Sequence, residues 1–393
     1  MLNEFKIMWY NISMIKSGYK KIGITFALVF SLLIFSITIF SGCSKEPDYT
    51  NLVSSTYVPS NIEIFTDEFG FKSLKKDSQE PIKILQLTDI HIGNGPLTSK
   101  RDRKAIEAVC KMIESSRPDL IVLSGDLVYP TLFLTGTNDN LTALKVLTKV
   151  IDAYKTPWTI CFGNHDAEST AKYSKSELCD FLEGSDLSYC LFSRGPSSID
   201  GMGNHIINLY NSTGEFNTAI FLLDNGMYNG DTQLSGYMEV TQSQTSWYEE
   251  NVNLISNKVG KTIQSFVFYH VPGKEYELAW KEFKSGENEN VTLIYGYANE
   301  PNEKISCPSE LGTFWNKVQD LGSTKAIFCG HDHLNDFSVE YYGVRLTFSK
   351  SIDYTAYAFQ GIAEKTEQRG GTIISVSESG SFEISAKKLV DIK

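Results

Sequence analysis

Histidine is scarce in this chain, six residues among 393, so a gathering of several in related motifs needs a reason. No two cysteines stand two residues apart, which argues against a thiolate zinc site. There is no internal repeat and no low-complexity stretch, so neither a solenoid nor a disordered chain is expected. Positive charge is in deficit as well: the net charge is −11, and without the leader's four lysines and one glutamate it is about −14. Nucleic acid is therefore not an expected partner, because binding to a phosphate backbone rests on a clustered basic surface. An anionic substrate would have to meet a local positive centre, which bound metal ions could supply. What remains is an ordinary globular composition, 41% hydrophobic and 21% charged, long enough for one large core and for one to three domains.

Residues 1–43 read as an export signal rather than as part of the fold. Lys16, Lys20 and Lys21 precede an uncharged apolar run from Ile22 to Phe40, which Ser41-Gly42-Cys43 closes. That ending resembles the bacterial lipobox, whose cysteine is lipidated and becomes N-terminal on cleavage, although Phe40 departs from the usual leucine. An uncleaved anchor and plain secretion are the competing readings, and Met14 is an alternative start that leaves a leader of ordinary length. On each reading the catalytic part is expected outside the cytoplasm, membrane-anchored by lipid or helix on the first two. Residues 44–60 read as a tether and 61–393 as the folded domain. Of the later cysteines, Cys110, Cys161 and Cys329 sit in apolar patterns as small hydrophobes. Cys179, Cys190 and Cys307 lie where a disulfide could form, with no pairing readable.

Ile62 to Phe65 and Phe69 to Lys72 suggest an opening hairpin. Strands and helices then alternate: Ile82 to Leu87, a helix over Lys100 to Ser116, Leu120 to Leu123, a helix around Leu141 to Tyr154, and Trp158 to Phe162. This βαβαβ run implies parallel pairing with right-handed crossovers. Later strands are expected at Ala219 to Leu223, Ile263 to Tyr269, Ala326 to Cys329, Val344 to Phe348, Thr372 to Val376 and Phe382 to Ser385. Helices are expected near Gln242 to Ile255 and Leu311 to Leu321. Two sheets flanked by helices would absorb this many strands.

Five of the six histidines fall in short motifs that follow apolar segments. These are Asp89-Ile-His91, Gly125-Asp126, Gly163-Asn164-His165-Asp166, His270 and Gly330-His331-Asp332-His333. Taken singly, each has a plain alternative: a solvated loop, a turn, a helix cap or a core histidine. Taken in order, each after its own strand, they read as a two-metal hydrolytic site. In an extended strand residues i and i+2 share a face, so Asp89 and His91 can meet one ion, and His331 and His333 repeat the spacing. Carboxylate, imidazole and amide oxygen without thiolate suit Mn, Fe or Zn. His205 has no such context and reads as structural.

These motifs resemble the calcineurin-like metallophosphoesterases, which run D-x-H, G-D, G-N-H-D/E, a lone H and G-H-x-H in this order. The likeness spans roughly residues 82 to 350. It is greatest to the purple-acid-phosphatase-like branch, through Cys161 to Asp166, Phe268 to Pro272 and Phe328 to Asp336. True purple acid phosphatases have D-x-G and an iron-ligating tyrosine, so His91 here makes Tyr129 redundant as a ligand and leaves it structural or substrate-facing. The resemblance implies an αββα sandwich of two mixed sheets flanked by helices. It also implies that Asp89, His91 and His333 hold one ion, that Asn164, His270 and His331 hold the other, and that Asp126 bridges them. Hydrolysis would proceed by attack of a metal-bridging hydroxide on phosphorus. His165 is the candidate for protonating or stabilising the leaving oxygen, and Asp166 or Asp332 could orient an imidazole.

The expected partner is a phosphate ester, with a phosphomonoesterase as the first reading and a phosphodiesterase on nucleotides or lipid headgroups as the second. A surface-anchored protein that holds metals without useful catalysis is the third. Asn225 to Met238 and Gly286 to Pro308 read as rim loops that set specificity, or equally as surface insertions.

Overall fold

The computed structural model describes residues 46–184, 187–226, 228, 236–357 and 367–393. The export signal, Cys43 and Met14 lie outside the described residues. Two compact units divide the chain, Met1–Glu46 and Pro47–Lys393; the fold below is that of the second.

β1 (Ile62–Thr66) and β2 (Lys72–Lys76) pair antiparallel, and Asp67 closes their turn by accepting the N–H of Phe69 and Phe71. Then come β3 (Ile82–Leu87), α1 (Ser99–Ser116), β4 (Leu120–Ser124), α2 (Asn140–Asp152) and β5 (Trp158–Cys161). The three strands pair in parallel, in that order. Apolar residues at one-turn spacing, Ile106, Val109, Cys110 and Ile113, give α1 its buried face. Asp139 caps α2 by accepting from Thr142 N–H. The chain continues through α3 (Lys175–Gly184), β6 (His205–Tyr210), β7 (Phe216–Leu222) and α4 (Gln242–Val259), which opens with a Thr241/Gln244 capping box. β8 (Gln264–Phe268), α5 (Lys274–Ser285), β9 (Val291–Tyr295), α6 (Thr313–Leu321) and β10 (Thr324–Cys329) follow. β11 (Ser338–Tyr341), β12 (Val344–Phe348), β13 (Gly370–Val376) and β14 (Phe382–Lys388) complete the fold.

Among the described residues the strands form a nine-stranded sheet, β1-β2-β6-β7-β8-β10-β12-β11-β9, and a five-stranded one, β14-β13-β3-β4-β5. Both are mixed. Along β4, Leu120 and Val122 face the other sheet while Ile121 and Leu123 face the helices. With both faces covered, the strand reads as an unbroken apolar run. The inter-sheet core joins Ile84 and Val122 to Ile220, Phe266, Phe268 and Phe328. On the outside of the small sheet Leu85 and Leu123 meet Ile106, Val109 and Leu147. On the outside of the large sheet Phe221 and Val267 meet Tyr248, Ile255 and Tyr276. Each such side chain contributes about 1.5–3 kcal/mol on burial, and the layers are helix, sheet, sheet, helix, as the sequence suggests.

Several segments depart from expectation. The second strand of the opening hairpin is Lys72–Lys76, because Phe69 and Phe71 belong to the turn that Asp67 closes, and α3, β6 and α5 were not foreseen. The stretch read as a tether is folded against the domain: Lys149 pairs with Asp48, Ser54 N–H bonds Glu114, and the Tyr57 ring lies edge-on to Tyr154 at 4.8 Å. Residues 286–308 are not an irregular rim loop throughout, because β9 lies within them and pairs with β11. Part of the other expected rim stretch, 227 and 229–235, lies outside the described residues. All six cysteines after Cys43 are free thiols.

Candidate metal centre

Five strands, three from the small sheet and two from the large one, send their C-terminal ends to one place. Asp89 and His91 follow β3, Asp126 follows β4, Asn164 follows β5, His270 follows β8, and His331 and His333 follow β10. The strand-end placement expected from an open α/β sheet holds, but the pleat does not bring Asp89 and His91 together. Both lie beyond β3 with left-handed backbone, φ 52 at each; Asp126 (φ 51) and His331 (φ 79) share that conformation. For non-glycine residues this costs on the order of 1–3 kcal/mol each and marks functional sites. A ladder between loops holds them there: Asp89 N–H to Gly125 O, His91 N–H to Asp126 O and Gly330 N–H to His270 O, at 3.0–3.1 Å.

Two clusters result. In the first, the ligand atoms of Asp89, His91 and His333 lie within 4.8 Å of one another; in the second, those of Asp126, His270 and His331 do. His91 Nε2 and His333 Nε2 are 3.1 Å apart, and His333 Nε2 is 3.3 Å from Asp89 Oδ1. His333 Nδ1 donates to Asp353, so in the neutral ring Nε2 offers a lone pair. Two nitrogens bound at right angles to one ion, each about 2.1 Å away, would be about 3 Å apart. In the second cluster His270 Nδ1 donates to Ser124 O, so in the neutral ring Nε2 is a lone pair 3.0 Å from Asp126 Oδ2. A lone pair and a carboxylate repel unless a cation lies between them. Asp126 Oδ2 is also 3.8 Å from His91 Nε2, so it faces both clusters.

Asn164, just past the end of β5, is the remaining expected donor. Its Nδ2 donates to Tyr228 Oη at 2.7 Å, and its Oδ1 is buried with no hydrogen-bond partner. His270 Nε2 and His331 Nδ1 are unpartnered in the same way. Such atoms are costly unless something binds them, and donors of this kind fit divalent cations. The electrostatics agree. Burial pushes the Asp89 carboxyl up, but the imidazoles of His333, His91 and His270 outweigh it and hold the group well below the usual range. Burial opposes charge on His270, yet Asp126 and Asp89 raise it to about 9; the field that would keep a proton there would keep a cation. Burial and the neighbouring His270 push His331 down to about 3.

The supporting residues differ from those the sequence suggested. Asp166 orients no imidazole: it accepts the N–H groups of Asp126, Leu127, Val128 and Gly163, tying two ligand loops together. Nor does Asp332, which accepts from Ser306 N–H and the Asn335 amide. Asp353 fills that role for His333, and Glu168 bonds His165 Nδ1 at 2.8 Å. Asn225, expected on a rim loop, is buried; its Oδ1 accepts from His270 and Val271 N–H and its amide donates to Val271 O. Tyr129 sets its ring edge-on to His91 and His165. His205 is structural, bonded to Thr159 Oγ1 and Gly203 O, and burial holds it down at about 4.

A family model described as calcineurin-like phosphoesterase matches residues 82–335, more than half of the chain. The chain belongs to that family. This phosphoesterase is similar to a probable inactive purple acid phosphatase 14 of Arabidopsis thaliana, 28% identical over 341 residues, 78% of this chain and 79% of the plant protein. It is also similar to phosphatase DCR2 of Saccharomyces cerevisiae, 28% identical over 286 residues, 68% of this chain and 46% of the yeast protein. A crystal structure of a dimetal phosphatase from Danio rerio superposes with a TM-score of 0.47 at 12% identity, covering 79% of this chain and 97% of that one. As a family member the protein is a metal-dependent hydrolase of phosphoric esters.

Proposed function

We propose that the protein is a phosphomonoesterase in which Asp89, His91 and His333 hold one metal ion, Asn164, His270 and His331 hold the other, and Asp126 lies between. The reading rests above all on the two gathered clusters, Asp89 with His91 and His333, and Asp126 with His270 and His331, whose ligand atoms lie within 4.8 Å of one another in each. Two M²⁺ ions against two carboxylates leave about two positive charges, which would draw phosphate to an acidic protein. Such ions, whether Mn, Fe or Zn, would supply Lewis-acid chemistry there, lowering the pKa of water toward ~7 and offsetting phosphoryl charge. The chain itself orients the donors through Ser124, Asp353, Asn225 and Tyr228, and sets the 22%-exposed His165 side chain at the edge of the centre. Although the plant relative is named inactive, all seven donors and His165 are present here, which favours hydrolysis over mere metal retention.

The test is turnover of p-nitrophenyl phosphate beside bis-p-nitrophenyl phosphate by the purified, Mn²⁺-loaded chain. Faster monoester hydrolysis is expected; diester preference would make the protein a phosphodiesterase, and no turnover of either would overturn the hydrolase reading. The leader further supports an extracytoplasmic enzyme anchored at a membrane by a lipidated Cys43 or by the apolar run itself. Recovery in the soluble cytosolic fraction would contradict that placement.

A further inference from the structure

His165 and Glu168 form a pair at the edge of the centre. His165 Nδ1 lies 2.8 Å from Glu168 Oε1. A carboxylate can only accept, so Nδ1 carries the hydrogen, and the ring's other nitrogen is the one free to face a substrate. That nitrogen, Nε2, points inward, 3.9 Å from Asp126 Oδ2. Tyr129 meets the ring edge-on at 4.9 Å, and His91 lies 5.5 Å away. The backbone N–H of His165 donates to Asp126 Oδ1 at 2.8 Å, so the pair is fixed to the same carboxylate that joins the two metal clusters. The two side chains are 22% and 30% exposed. An ion pair this open to solvent adds about 0–1 kcal/mol to stability, too little for folding to be its reason.

We infer that Glu168 is the positioning residue of the leaving-group acid, holding His165 with Nε2 toward the ester oxygen, and that the substrates are esters of alcohols whose oxygen must be protonated as it leaves. This rests on the hydrolase reading above. As the ester P–O bond breaks and a P–O bond to a water-derived oxygen forms, the leaving oxygen takes the Nε2 proton and departs as the alcohol. The imidazole that remains keeps its Nδ1 hydrogen on Glu168. The proton released when the next water becomes the nucleophile restores Nε2–H, so the cycle closes with no other reactant. A phenolate such as p-nitrophenolate departs without that proton; a simple alkoxide does not.

The experiment compares glycerol phosphate with p-nitrophenyl phosphate in the full chain, Mn²⁺-loaded, as wild type, Glu168→Ala and Glu168→Gln. General-acid assistance is worth about 10²- to 10⁴-fold, so Glu168→Ala should lower kcat on glycerol phosphate by about tenfold or more. On p-nitrophenyl phosphate the change should be about threefold at most, with metal content unchanged. Glu168→Gln, whose amide oxygen still accepts from Nδ1, should recover part of the loss and serves if the alanine variant fails to fold. A Glu168 variant that slows both substrates equally, or neither, overturns the inference while leaving the hydrolase intact. Wild-type protein that binds metal yet turns over neither substrate overturns the hydrolase reading, and this inference with it.

Discussion

Tyr228 decides which way Asn164 points. By accepting from Nδ2 it turns the amide oxygen inward, where no other protein group meets it. His333 is braced against a carboxylate, Asp353, while His270 is braced against a neutral carbonyl. The Asp89 cluster thus has the more anionic surroundings, and burial notwithstanding, His333 holds the Asp353 carboxyl well below its ordinary range. Asp353→Asn should therefore weaken one of two metal sites by about 10- to 100-fold and spare the other. Calorimetric titration of the metal-free chain with Mn²⁺ checks this, and two unchanged affinities would refute it. The six residues of the two clusters were legible because each follows an apolar strand in a fixed order. Asp353, Glu168 and Asn225 were not, since each acts through a neighbour that only folding supplies. Proximity in sequence misled for Asp166 and Asp332, whose carboxylates turn to backbone N–H groups instead.

At the level of elements, close approach of the ligand loops is what the glycines permit. A Cβ on Gly163 would stand 2.2 Å from Asp126 Oδ1 and 2.3 Å from its backbone nitrogen; one on Gly125 (φ +88) would stand 2.6 Å from the His270 ring. Gly163→Ala should force the Asp126 loop outward, costing about 1–3 kcal/mol as overpacking and lowering metal content well below that of wild type. Denaturant melts and elemental analysis of the same sample check both effects; native metal content would show that the loops are not so tightly clasped. The βαβαβ run was legible nearly to the residue because its strands are apolar on both faces and α1 keeps helical spacing. β9 was missed because it is an edge strand with alternating half-buried and exposed residues, VTLIY, set among polar residues. α5 carries helix-spaced Tyr276, Ala279 and Trp280, masked by the charged residues of its outer face. What no pattern shows is that four ligands leave the extended conformation, because φ is fixed by contacts between loops rather than by neighbours in sequence.

For the whole molecule, two sheets closing on a shared apolar core bring together strand ends that lie up to 244 residues apart, from Asp89 to His333. Layering was foreseeable from the number and apolarity of the strands. Which sheet each late strand joins was not, because β6, β7, β8 and β10 enter the large sheet through parallel and antiparallel pairings that apolar runs do not distinguish. The central claim joins the acidic chain, 36 basic against 47 acidic residues, to its candidate metal centre: charge on bound cations would supply the positive centre that a phosphate needs. The most direct measurement is anomalous diffraction from crystals of the Mn²⁺-loaded protein. Two peaks are predicted, one within bonding distance of Asp89, His91 and His333, the other of Asn164, His270 and His331, with Asp126 touching both. A single peak, none, or peaks elsewhere on the surface would contradict it.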